Sequence, residues 1–431
     1  MVATMDNKFT EYAAIGSILV DERCLPRVQA ILPSPEAFAY EPCQKAYAAI
    51  LELAGEGKEI DPVTVCNRAQ LPEEYAREWM QIMPTCEHAE EYARLVAEGH
   101  RRRQLQQLGQ KLQLDALTAD PDQLLEQTHR ALERLTQPMA AAHSPMDSLQ
   151  AFLQFRSDVN GGKRKALKVG FPGLDAVIGG FARGGLYVLA ARPGVGKSAL
   201  GIALADMLAK ENRVLYVSLE MTEEELNARR VAAFSDACCS FGKLLFDTTT
   251  EQEDAAVLKA CSDLYQRKLS LCAAATMTVA QLGIQARKVG AEVVMVDYLG
   301  LLSAGDGKLS EYERITQISG DLKRLAKRLG CVVIALCQLN RESASLPSAE
   351  QLPKLSQLRS SGAIEQDADG VLLLHRPDYG KRNVDPAAPQ KFFVEVAKNR
   401  HGRTGTVELT WMAPVNRFED RSGRWTVKSW I

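Results

Sequence analysis

The chain reads as an α/β protein with a mostly parallel sheet and helices on both faces, preceded by an all-helical region. Three observations lead there. From residue 168 onward, short runs that are apolar throughout alternate with helical patterns, as strands buried on both faces require. Before residue 136, apolar residues recur at helical intervals and β-branched alternation is nearly absent. Between these regions, "TQPMAAAHSPMDS" (136–148) has the Pro, Ala and Ser content of a linker. The expected organisation is a helical domain over 1–135, a linker with a short helix over 136–167, and an α/β domain over 168–431.

The helical region begins with "FTEYAAIGSILVDERCLPRVQAIL" and "PCQKAYAAILELAGEG". "PEEYAREWMQIM" and "EHAEEYARLVAEGHRRRQLQQLGQKLQLDAL" continue the pattern. "HRRRQ" (100–104) falls inside a long charged helix and reads as a solvated face. The linker region carries "SLQAFLQFRSDV", whose apolar residues are Leu149, Phe152, Leu153 and Phe155. It is too short to be stable alone. Either it folds back on its own domain or it docks on a neighbouring subunit.

The α/β region supplies seven expected strands: "GLYVLAA" (185–191), "RVLYVSLE" (213–220), "LSLCAA" (269–274), "EVVMVDYL" (292–299), "CVVIALCQ" (331–338), "GVLLLH" (370–375) and "FFVEVAKN" (392–399). The last of these opens "VEVAKNRHGRTGTVEL" (394–409), a hairpin expected to be antiparallel at one sheet edge, with a basic tip.

Composition narrows the function classes. A net charge of −2 advertises no global affinity for nucleic acid, although a local patch suffices for binding. The cysteines are scattered without a C-x-x-C, which argues against zinc knuckles and thioredoxin-like redox chemistry. They suit a reduced, cytoplasmic interior. The N-terminus lacks the layout of a signal peptide, and no run of 18 apolar residues exists to span a membrane.

"ARPGVGKS" (191–198) is the most specific motif. It follows a strand and opens the helix "SALGIALADMLAK", as a phosphate loop must, with Ala191 at the first glycine position. Gly194 and Gly196 let backbone N–H groups curl around phosphate oxygens at a helix N-terminus. The segment Arg192, Pro193, Gly194, Val195, Gly196, Lys197, Ser198 and Ala199 is therefore the expected ATP site. Lys197 reaches the β- and γ-phosphates, and the Ser198 hydroxyl ligates Mg²⁺. Open α/β sheets bind ligands at the carboxyl ends of their strands. Asp297 at the end of "VVMV" is placed to hold Mg²⁺ through water. Glu220 at the end of "VLYVSL" is placed to polarise the attacking water, and Gln338 at the end of "VVIALC" to contact the γ-phosphate.

These pieces together carry a resemblance. "GFPGLDAVIGGFARGGLYVLAARPGVGKS" resembles the entry to RecA-like ATPase domains. With "SLEM", "VVMVDYL", "ALCQLNR" and "LRSSGAIEQDADGVLLLHRP", residues 168–431 resemble the replicative hexameric DNA helicases of the DnaB family. Residues 9–102 resemble that family's helical domain more loosely. The resemblance implies a homohexameric ring that uses ATP and Mg²⁺ to move 5′→3′ along single-stranded DNA and part the duplex. It implies a bacterial or phage-encoded cytoplasmic protein, with a primase and a loader as partners of the helical domain. "LRSSGAIEQDAD" (358–369) reads as a loop by its Ser-Ser-Gly, and the resemblance implies that this loop lines the channel, with Arg359, Ser360 and Gly362 holding DNA phosphates. Ser360 stands where the family usually carries Glu, and the helical domain is short between "VCNRAQ" and "LPEEYAREW". The competing readings are a RecA-like recombination or switch ATPase without unwinding activity, and a nucleotide-stabilised scaffold.

The basic hairpin admits three targets: DNA, nothing, or a neighbour's ATP. A motor needs a cation supplied from another rigid body, and an arginine given in trans is worth about 10³–10⁵ in rate. In a regular strand, Lys398 and Arg400 share a face. The family's matching Lys-x-Arg contacts the adjacent subunit's ATP, which favours the third target. His401 and Arg403 are given no catalytic role.

Overall fold

The structure is a computed structural model. It describes residues 7–82, 85–136, 145–162, 166–236, 238–304, 309–339, 353–358, 361–379, 385 and 387–428. The chain divides into two compact units, Met1–Phe155 and Arg156–Ile431.

The first unit is helical, as its periodicity requires. It comprises α1 (Asn7–Val20), α2 (Leu25–Ile31), α3 (Glu41–Gly55), α4 (Pro62–Ala69), α5 (Glu73–Ile82), α6 (Ala89–Asp115) and α7 (Pro121–Thr136). Its core gathers Ile15, Ile18, Tyr47, Ile50 and Trp79, all fully buried. Burial of each such side chain contributes about 1.5–3 kcal/mol. The solvated reading of residues 100–104 needs one correction. Arg102 is exposed and pairs with Glu98 one turn earlier, but Arg103 turns inward. It donates to the Ala37 carbonyl and lies 3.8 Å from the buried Glu11 carboxylate, which itself accepts from the Ala39 and Tyr40 N–H groups. A buried carboxylate needs a counter-charge, and Arg103 supplies it.

The boundary between the units falls within α8 (Pro145–Asn160), which begins earlier than the linker reading allowed. Among the described residues, Leu149, Phe152, Leu153 and Phe155 are 61%, 55%, 65% and 43% exposed.

The second unit opens with α9 (Pro172–Ile178), β1 (Leu186–Ala191), α10 (Lys197–Leu208), β2 (Val214–Ser218), α11 (Glu223–Phe234), α12 (Phe241–Phe246) and α13 (Glu251–Tyr265). It continues with β3 (Leu269–Ala273), β4 (Met277–Thr278), α14 (Val279–Lys288), β5 (Val293–Asp297), β6 (Leu302–Ser303), α15 (Glu311–Leu329) and β7 (Val332–Gln338). It ends with α16 (Ser361–Asp367), β8 (Gly370–His375), β9 (Gln390–Asn399), β10 (Thr404–Met412) and β11 (Arg417–Lys428). The main sheet runs β11-β10-β9-β8-β1-β7-β5-β2-β3. The pairs from β8 to β3 are parallel, whereas β8–β9, β9–β10 and β10–β11 are antiparallel. The seven expected strands are all present. β11 extends the antiparallel edge beyond the expected hairpin, and β4 and β6 form a small separate pair.

Successive residues of β1 feed opposite cores, which explains its unbroken apolar run. Tyr187, Leu189 and Ala191 join α9 and α10 on one face. Leu186, Val188 and Ala190 join α14 and α15 on the other. Side chains that alternate across a pleat, with helices on both sides, leave no position for a polar residue.

Candidate functional site

Four helix starts in the second unit share one pattern, and α10 departs from it. Thr222, Thr250, Thr278 and Ser310 cap α11, α13, α14 and α15, each completed by Glu or Gln three residues on. α10 begins instead at Gly196, without a side-chain cap. Gly196, Lys197, Ser198 and Ala199, at its start, line a cavity of about 490 Å³. The N–H groups of a helix start, with the helix dipole behind them, attract anions. Gly194 and Gly196 adopt φ +73° and +115°, which favours glycine at both positions. A methyl on Gly194 would overlap the Tyr379 hydroxyl, and one on Gly196 would lie 3.2 Å from the Trp411 ring.

The residues expected around this loop meet there. β1, β7, β5 and β2 are consecutive neighbours in the sheet, and their carboxyl ends carry the loop, Gln338, Asp297 and Glu220. Ala191 is in register with Gln338, and Ser218 with Asp297. Lys197 Nζ lies 3.2 Å from Asp297 Oδ1 and 4.2 Å from the centre of the Tyr298 ring. The Tyr216 hydroxyl donates to Asp297 Oδ2 at 2.9 Å. Burial, then the Asp297 charge, push the Tyr216 hydroxyl well above its ordinary range, so it stays a donor. Asp297 is fully buried, yet its Oδ1 has no hydrogen-bond partner among the described residues. A buried carboxylate oxygen beside an ammonium fits a site that also takes a cation, and Ser198, the residue after Lys197, lines the cavity. Glu220 sits two residues beyond β2 and is exposed at the cavity wall. It lies outside α11, whose cap is Thr222.

The sequence reading did not assign four of the lining residues, Arg229, Phe241, Trp411 and Asn416. Arg229 of α11 faces the cavity with its guanidinium 4.7 Å from the Phe241 ring. Burial lowers its pKa, and its Nε has no hydrogen-bond partner among the described residues. Its neighbour Arg230 turns away to a bidentate pair with Asp206. Trp411 and Asn416 form another wall. Arg376 lies 5.0 Å from the Trp411 ring and 4.6 Å from the Tyr379 ring. The doublet "RR" was the one available signal for Arg229.

The remaining predicted residues lie elsewhere. Arg359 and Ser360 are outside the described residues. Gly362 is exposed in the first turn of α16, so the loop expected over 358–369 is corrected to a helix for Ser361–Asp367, anchored by the buried Ile364. The regular register expected at Lys398 is also corrected. Val371 pairs with Lys398 but Leu372 pairs with Val396, so Ala397 is an extra residue, and Arg400 lies in the turn beyond β9. α16 nevertheless brings the two cations together: Lys398 Nζ donates to the Glu365 carbonyl and Arg400 Nη2 to the Gln366 carbonyl. Burial, then the Arg400 charge, lower the Lys398 pKa.

Lys398 and Arg400 stand at the opposite edge of the sheet from the phosphate loop. The Arg400 N–H donates to the Asp369 carbonyl, and the next residue, Gly370, is in register with Tyr187. Arg192 lies five positions after Tyr187, about 16 Å along the sheet at 3.3 Å per residue.

Two family descriptions match the chain: the DnaB-like helicase N terminal domain over residues 5–98, and the DnaB-like helicase C terminal domain over residues 166–420. The replicative DNA helicase DnaB of Leifsonia xyli subsp. xyli is 30% identical over 437 residues, covering 95% of this chain and 93% of the relative. That of Geobacillus stearothermophilus is 29% identical over 434 residues, with the same coverage. Among solved structures, a DnaB-like replicative helicase, described with its interactions with primase, shares the fold across 96% of this chain and 99% of its own, with TM-score 0.71 at 24% identity. A separately solved ATPase domain superposes with a TM-score of 0.58 at 28% identity, covering 65% of this chain and 99% of its own.

Proposed function

The chain belongs to the DnaB-like helicase family, and from that premise we propose that it parts duplex DNA as a homohexameric ring that hydrolyses ATP while moving along single-stranded DNA. It is a replicative DNA helicase, an ATP-dependent enzyme. The alternative of a recombination or switch ATPase without unwinding is set aside by matches to this family in both of its domains.

Residues 192–199 hold the triphosphate on the uncapped start of α10, with Lys197 on its terminal phosphates. Ser198 and Asp297 hold Mg²⁺, which neutralises phosphate charge when bound. Glu220 orients and deprotonates the attacking water, and Gln338, on the strand between those of the loop and Asp297, contacts the γ-phosphate. Arg229 adds a second cation from α11, and Trp411 gives the base an apolar wall. Lys398 and Arg400 complete the site of the adjacent subunit. One observation carries this reading: the cations that finish the chemistry stand about 16 Å along the sheet from their own phosphate loop. A head-to-tail ring lets every subunit give a pair and receive one.

The domain scheme follows: a helical domain over 1–135, a linker over 136–167 and a motor over 168–431. The exposed apolar residues of α8 favour docking on a neighbouring subunit over folding back. Arg359, Ser360 and Gly362 hold DNA phosphates without reading bases. Primase and a loader engage the helical domain, the protein works in the cytoplasm of a bacterium, and translocation runs 5′→3′. No helix among the described residues is long and apolar enough to cross a membrane. The test is strand displacement on forked DNA with ATP, run beside mass measurement of the assembly. A hexamer that hydrolyses ATP yet never displaces a strand refutes unwinding; an active monomer refutes the ring.

A further inference from the structure

We infer that Asp369, with the last turn of α16, positions the Lys398 and Arg400 pair and thereby sets how well one subunit completes its neighbour's site. The inference rests on the trans role proposed above. Asp369 is 3% exposed, and its oxygens are engaged on two sides. Oδ2 accepts the Leu186 N–H at 2.8 Å and the Lys323 ammonium, which ties it to the start of β1 and to α15. On the other side, its carbonyl accepts the Arg400 N–H at 2.7 Å, and Oδ1 faces Arg400 Nη1 at 3.4 Å. Burial alone would raise this carboxyl. The bonds from Lys323 and Leu186 and the charges of Lys323 and Arg400 outweigh burial and hold it below its ordinary range, so it remains an anion.

The end of α16 supplies the second grip. Helix-end carbonyls have no partner within the helix and carry its negative pole. Here the Glu365 carbonyl takes Lys398 and the Gln366 carbonyl takes Arg400. The Arg400 side chain stays 47% exposed, so its guanidinium is aimed without being covered. A side chain already held in one orientation loses less conformational entropy on meeting a phosphate. The first turn of the same helix carries Gly362, one of the candidate DNA contacts. Helix, aspartate and the two cations form one hydrogen-bonded body, and a shift of α16 reaches the pair directly.

The test is a double-mutant cycle on ATP turnover by the assembled full-length protein. Asp369→Asn is expected to lower kcat about tenfold while the KM for ATP stays within about twofold, because the subunit's own cavity is untouched. In the Arg400→Ala background the same substitution should change kcat by less than about twofold, and Asp369→Glu should recover part of the loss. An equal loss in both backgrounds overturns the inference, since Asp369 would then act on the fold and not through Arg400. An unchanged kcat, or a loss confined to KM, overturns it as well. Wild-type turnover by Arg400→Ala alone refutes the trans role itself, and this inference falls with it. If Asp369→Asn does not assemble because Lys323 is left buried without a counter-charge, Asp369→Asn combined with Lys323→Met replaces it in the cycle, and the same outcomes decide.

Discussion

Mixed assemblies of two inactive variants test the trans assignment directly. Arg400→Ala keeps a complete nucleotide cavity but gives its neighbour no guanidinium. Glu220→Ala has the opposite defect. Each pure variant should fall far below wild type, by about 10³-fold or more for the arginine. The register sets the geometry: Arg400 is anchored beside Gly370, level with Tyr187, about 16 Å along the sheet from the phosphate loop. That span exceeds the reach of its side chain, so no subunit can use its own Arg400. In a head-to-tail ring a site is whole only where an Arg400→Ala cavity faces a Glu220→Ala neighbour. With equal, randomly mixed subunits that is about one site in four, the product of two halves. ATP turnover plotted against mixing ratio should be a dome with its maximum at equal amounts, near a quarter of the wild-type rate for independent sites. A flat line at the level of the pure variants, with mass measurement confirming mixed rings, would refute the reasoning, because a complete site would then never form between subunits.

Three further outcomes are expected. Lys197→Ala should abolish ATP hydrolysis, and turnover near wild type would remove the central assignment of the phosphate loop. Gly194→Ala places a methyl against the Tyr379 hydroxyl at φ +73°; backbone strain of about 1–3 kcal/mol plus the overlap should weaken nucleotide binding, and an unchanged ATP Kd by calorimetry counts against the loop geometry. Arg359→Ala should weaken single-strand binding about equally on all sequences and reduce the salt slope by about one; a loss that depends on sequence contradicts backbone readout.

What the sequence disclosed follows from where each constraint acts. Strands β1 to β9 of the main sheet were legible because burial on both faces, or on one face of the hairpin, forces an apolar pattern that short windows detect. β11 was not, since "RFEDRSGRWTVK" lies at the sheet edge and mixes charges with its apolar residues. Lys197, Asp297, Glu220 and Gln338 were legible because a strand end is a local address, and four consecutive strands of the sheet carry one each. Arg229, Trp411 and Tyr379 were not. They come from α11, β10 and the turn after β8, and only the folded sheet brings the first two to the cavity and the third against Gly194. The segment over 358–369 misled for a related reason. Ser-Ser-Gly signals a loop, but Ile364 and Ala368 find a core that local propensity cannot see.

On the proposed trans assignment, the arrangement of charge across the sheet lets one chain carry both halves of a site that it does not complete alone. Parallel strands place their helix N-termini and the polar ends of β1, β7, β5 and β2 at one edge, where Lys197 and the uncapped α10 create a field for phosphate. The antiparallel return of β9 carries the chain back to the other edge and leaves Lys398 and Arg400 there. At that edge their partners are Asp369 and the negative end of α16, a setting that orients cations and offers them no phosphate. If Arg400 were moved to the first edge, it would compete with Lys197 for Asp297 whenever no nucleotide is bound. Keeping the two cation sets one sheet-length apart avoids that competition. If the pair acts in trans as proposed, this separation also makes completion of each site depend on how the next subunit is placed, so that hydrolysis reports a position between rigid bodies. A motor needs that dependence to couple turnover to movement, and under the proposed assignment the loop-to-hairpin separation would supply it.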